Sequence, residues 1–115
     1  MNVSKETEKN IAQLQMLEQN AQQLILQRQQ FQVQLLELDN ALKELKTTKE
    51  KPFKIIGNLM IATSKTDLEK DLNTKKDMLE LRVKNYEGQE EKTKKRIDEL
   101  QKNIMESMKE RGDTE

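Results

Sequence analysis

The sequence predicts a mainly α chain: a long antiparallel two-helix coiled coil with a single β-hairpin between the helices, the hairpins of several chains joining into a shared sheet or barrel. Three observations predict it. Leucines step by three and four through two long stretches free of proline. A short apolar segment rich in isoleucine lies between them, around Gly57 and Asn58. Finally, only 33% of the 115 residues are hydrophobic and 37% are charged, too little apolar surface for a compact globe of this length. Such a composition reads as disorder unless the apolar residues fall on strict periods, and here they do.

The first helix is expected over residues 4–46. It holds neither Gly nor Pro, and ten glutamines fall between Gln13 and Gln34. With Leu14 as position a, the a and d positions are Leu14, Leu17, Ala21, Leu24, Arg28, Phe31, Leu35, Leu38, Leu42 and Leu45. All are apolar except Arg28, over more heptads than the three to four a coiled coil requires.

The second helix is expected over residues 67–111, with Thr66 as N-cap and Glu69 closing a capping box. Its d positions are Leu72, Leu79, Tyr86, Thr93, Leu100 and Ser107, and its a positions Lys76, Val83, Glu90, Ile97 and Ile104. Gly88 in mid-helix costs about 1 kcal/mol relative to Ala, so a softer stretch is expected over residues 88–94. Gly112 reads as a helix stop before a frayed tail.

Folding the chain back on itself aligns the two seams. Leu45 then lies near Leu72, Leu38 near Leu79, Leu35 near Val83, and Phe31 near Tyr86. Leu17 lies near Leu100 and Leu14 near Ile104, in a register defined to about one turn. Arg28 and Glu90 fall at the same height and are expected to pair within the seam, where a lone charge is costly. The alternative is that each snorkels separately to water.

Residues 52–63 are expected to form the β-hairpin. Pro52 blocks continuation of the first helix. Phe53-Lys54-Ile55-Ile56 and Leu59-Met60-Ile61 flank Gly57-Asn58, a two-residue turn of the Gly-first type. A greasy loop capping the helices is the alternative. Such a hairpin is marginal alone in water, and two helix ends cannot cover Ile55, Ile56, Leu59, Met60 and Ile61. An oligomer assembled through Phe53, Ile55, Ile56, Gly57, Leu59, Met60 and Ile61 follows.

Several function classes drop out. The chain has no cysteine and no histidine, so it lacks thiolate zinc sites and the commonest general base and metal ligand. Gly57, Gly88 and Gly112 form no phosphate-binding loop. No enzyme activity, cofactor or metal is expected. No apolar run approaches the ~20 residues that span a bilayer, and the start lacks the apolar core of a signal peptide. A cytoplasmic protein without a membrane partner is expected. Net charge is zero, and the basic cluster Lys92, Lys94, Lys95 and Arg96 is flanked by Glu90, Glu91, Asp98 and Glu99. A nucleic-acid-binding helical arm, like those of some tRNA synthetases, would need a continuous basic face. A structural coiled-coil tether would explain the heptads but leave the apolar hairpin without purpose.

The order helix, single hairpin, helix resembles a prefoldin subunit of the β class over almost the whole length. The glutamine-rich first helix ends in Asn40-Ala41-Leu42-Lys43-Glu44-Leu45. The run from Phe53 to Ile61 is similar to the family's aromatic-Lys-x-x-Gly-x-x-hydrophobic-hydrophobic hairpin, with Phe53 where Tyr is common. The resemblance implies an ATP-independent holdase chaperone of archaeal type. It implies two α-class and four β-class subunits around a double β-barrel platform, with coiled-coil tentacles. Non-native client proteins would be gripped at the distal tips and passed to a group II chaperonin.

The register brings the N- and C-termini together. Apolar residues there include Val3, Ile11, Leu14, Met16, Leu17, Ile104, Met105 and Met108. Met16, Met105 and Met108 lie off the seam, and methionine suits surfaces that adapt to varied partners. Client contact is expected at this end. The alternative is that the methionines merely finish the coiled coil, and it weighs more for the seam residues Leu14, Leu17 and Ile104.

Overall fold

The structure, a computed structural model, describes residues 4–112. Helix α1 spans Lys5–Thr47 and strand β1 Phe53–Ile56; strand β2 spans Leu59–Ala62 and helix α2 Lys65–Gly112. The expected order is observed, each boundary lying within two residues of its expected place. The tail after Gly112 lies outside the described residues.

The helix starts are capped by hydroxyls. Ser4 Oγ accepts the Thr7 N–H at 3.0 Å, satisfying one orphan donor of α1. At α2 the cap is Ser64, whose Oγ accepts the Asp67 N–H at 3.1 Å. The capping box expected at Thr66 and Glu69 is thus displaced two residues toward the hairpin. The reason lies in the strands: the Thr63 N–H donates to the Pro52 carbonyl at 3.1 Å. Extended pairing ends there, so Ser64 is the first residue free to turn into a helix. Thr66 already sits in the first helical turn.

Burial follows the heptads closely. Every a and d residue from Thr7 to Leu45, and from Leu72 to Ser107, is buried or half-buried. Among the described residues only Thr7, Leu45, Val83 and Ile104 are fully buried, because a seam between two helices leaves each knob open on its flanks. α2 remains helical through Gly88.

The chain packs as two units. One combines the described residues of Met1–Gln27 and Asn85–Glu115; the other is Arg28–Lys84. In the first, the start of α1 runs alongside the end of α2 with chain directions opposed. Thr7 meets Ser107, and Leu17 and Leu24 share a groove with Gln89, Thr93 and Arg96. In the second, the remainder of α1 opposes the start of α2 in the same sense. Leu38 and Leu79 line one groove, as the seam alignment expects. Asp39 Oδ1 and Lys76 Nζ pair at 2.9 Å, and the Arg82 guanidinium stands 5.5 Å from the centre of the Phe31 ring, a cation–π contact. Lys76, a polar residue on the seam, therefore leans out to a carboxylate beside it.

The hairpin pairs antiparallel as Phe53 with Ala62, Lys54 with Ile61, Ile55 with Met60, and Ile56 with Leu59. Gly57 has φ +59° and no other described residue has positive φ, which fits the Gly-first turn expected from Gly57-Asn58. Among the described residues, no helix is long and apolar enough to cross a membrane.

The cap assignment is directly testable. Ser64→Ala should lower stability by about 1 kcal/mol in denaturant unfolding followed by circular dichroism, whereas Thr66→Ala should change it little.

Candidate assembly hairpin and helix ends

Alternation along the strands places Phe53, Ile55, Met60 and Ala62 on one face of the hairpin. Lys54, Ile56, Leu59 and Ile61 occupy the other. Both faces are therefore apolar, and both are bare: the six large side chains are 45% to 70% exposed. An antiparallel sheet ordinarily keeps one face polar toward water. Each strand also has a neighbour on one side only, so its outer edge offers backbone groups for pairing.

The stem, by contrast, is fixed. Lys54 Nζ donates to Asp71 Oδ2 at 2.5 Å, tying β1 to the second turn of α2. Lys65 Nζ reaches the Thr48 carbonyl, tying α2 to the linker after α1. Lys54 is thus an anchor, which explains a cation between apolar neighbours on an otherwise greasy blade. The hydrogen bond from Lys54, with its charge, holds the Asp71 carboxyl below its ordinary range. Likewise, the hydrogen bond that Lys76 donates to Asp39, with the charge of that carboxylate, raises Lys76 above the usual lysine range.

At the helix ends, the structure sorts the candidate client residues into two sets. Leu14 and Leu17 are half-buried on the seam and Ile11 half-buried beside it, and Ile104 is buried. Met16 and Met105 are 66% and 72% exposed. Met108 is half-buried beside Ser107 and lines a shallow depression on α2 with Gln101 and Met105. Val3 lies outside the described residues.

Two features escape a reading of apolar periodicity. One is the Lys54–Asp71 anchor. The other is a hydroxyl cluster in which Thr7 Oγ1 lies 2.7 Å from Ser107 Oγ and 2.8 Å from Ser4 Oγ. Extending the first heptad back from Leu14 places Thr7 at an a position, so this pair was in reach of the sequence.

Residues 8–111 match the family described as prefoldin subunit. The chain belongs to the prefoldin subunit family. The prefoldin subunit beta of Archaeoglobus fulgidus is 40% identical over 96 residues, covering 82% of this chain and 83% of the relative. That of Saccharolobus islandicus is 33% identical over 105 residues, covering 90% and 83%. Among solved structures, the prefoldin beta subunit from Thermococcus strain KS-1 superposes with a TM-score of 0.86 at 28% identity. It covers 91% of this chain and 94% of that one. The β-class resemblance of the hairpin thus extends over most of the chain. Membership in this family supports the function of a prefoldin chaperone subunit.

Two outcomes test this site. Ile55→Asp with Ile61→Asp should abolish assembled complexes in sedimentation while helical circular dichroism largely persists; complexes of unchanged size would remove the hairpin from assembly. The anchor should respond to acid. Since the folded Asp71 pKa is depressed, its contribution is present above the unfolded carboxylate pKa and is lost as pH falls through the lower folded value. Protection of the β1 amides, relative to their intrinsic exchange at each pH, should fall over that acid window, and Asp71→Asn should remove that fall.

Proposed function

We propose that this chain is a β-class subunit of a hexameric prefoldin, built with α-class subunits and further copies of itself in a two-to-four ratio. The observation that carries the proposal is the hairpin, apolar on both faces and anchored at its stem. Covering each half-exposed side chain contributes on the order of 1 kcal/mol, so neighbouring hairpins gain several kcal/mol by closing into a common β-barrel. A coiled-coil tether would have no use for such a surface.

The complex acts as an ATP-independent holdase in the cytoplasm. Non-native clients bind at the helix ends, through Met16, Met105 and Met108 and, when the ends part, through Ile11 and the seam residues Leu14, Leu17 and Ile104. Individual contacts are weak, and several arms acting on one client gain avidity through effective concentration. The client then passes to a group II chaperonin. Arg28 and Glu90, both half-buried seam residues, pair within the arm in this reading.

Native mass measurement with and without an α-class partner tests the assembly: a defined heterohexamer is expected, and a chain that stays monomeric beside the partner would refute it. For client contact, Met16→Ser, Met105→Ser and Met108→Ser combined should leave hexamers intact but weaken suppression of client aggregation several-fold. Undiminished suppression would exclude the methionines.

A further inference from the structure

The most buried residue on the fully buried seam positions is polar. Thr7 is 2% exposed, against 7% for Leu45 and Val83. Its hydroxyl lies 2.7 Å from Ser107 Oγ on α2 and 2.8 Å from Ser4 Oγ, and Ser4 Oγ also accepts the Thr7 N–H. We propose that Ser4, Thr7 and Ser107 form a positioning clasp that holds the ends of α1 and α2 in one register and opens reversibly to admit client; this rests on the client-contact reading above.

Two properties of the cluster carry the inference. Hydroxyls three ångströms apart meet at one register only, whereas leucine on leucine tolerates sliding. The same hydroxyls separate easily. When the helices part, Thr7 keeps its bond to Ser4 within α1, and water replaces the one bond that crosses to Ser107. An apolar pair at this level would instead expose its whole buried surface. Next along the seam stand Asn10, Leu14 and Ile104, with Ile11 beside Asn10 and Met108 beside Ser107. Opening at the clasp therefore uncovers the apolar side chains of Ile11, Leu14, Ile104 and Met108, and closing hides them again.

The chain has no cysteine, so Thr7→Cys with Ser107→Cys introduces a single possible intrachain disulfide. In the assembled complex, with disulfide formation verified by mass, the oxidised form should capture an unfolded client at least about tenfold more weakly than the reduced form, because the competent state is removed. Reduction should restore capture. Equal capture in the two states overturns the clasp. Independently, Thr7→Val with Ser107→Val should slow amide exchange at Ile11 and Ile104, and unchanged or faster exchange also overturns it. The two readings separate cleanly: if the methionine variant loses capture while the locked form retains it, client contact stands and the clasp falls. If the methionine variant keeps full capture, the methionine contact itself fails, whatever the lock does.

Discussion

The structure depends on a seam only one side chain wide. Two helices can enclose a knob from front and back but not from its flanks, so most a and d residues stop at half-burial. Leu45, Val83 and Ile104 are the exceptions among the apolar ones. Such a seam needs few apolar residues, which is how a chain that is only 33% hydrophobic folds without a globular core. It also leaves no interior in which to hide anything else. Whatever apolar surface the seam does not absorb must stay in water or meet another chain.

The hairpin is that remainder. A sheet of two strands has no partner layer of its own, and here neither face is polar. Lys54 shows how the chain manages the conflict: the only charged residue of the two strands is drawn off to Asp71, which orients the blade without covering it. In the assembly proposed above, the hairpin would thereby be held ready before any partner arrives. Less ordering entropy is then lost when neighbours pair.

Much of this was legible in the residues. The heptads translate almost one for one into the burial pattern, because periodicity and burial are the same physical statement for a helix pair. Gly57-Asn58 encodes its turn locally, through the positive φ that Gly57 alone among the described residues adopts. What was misread depended on competition between neighbours. Ser64 and Thr66 are both good caps, and only the last hairpin bond at Thr63 decides between them. What went unseen depended on contacts distant in sequence. Lys54 and Asp71 carry no mutual signal along the chain, and a search for apolar residues passes over Thr7 and Ser107 as gaps in the seam.

Those gaps follow a rule of their own. Polar seam residues meet polar partners: Lys76 pairs with Asp39 and Ser107 with Thr7 across the helices, and Arg28 also bonds Gln32 along its own helix. A seam so built is specific in register yet weak in adhesion, since polar pairs direct alignment and contribute little net energy. That combination suits a holdase with no nucleotide to drive release. If the ends closed as tightly as a leucine zipper, no client could compete for Ile11, Leu14 or Ile104. If they were apolar and open throughout, captured chains would not leave. On the client contact proposed above, marginal closure would keep self-contact and client contact comparable in energy, so that capture and release both proceed by exchange between them.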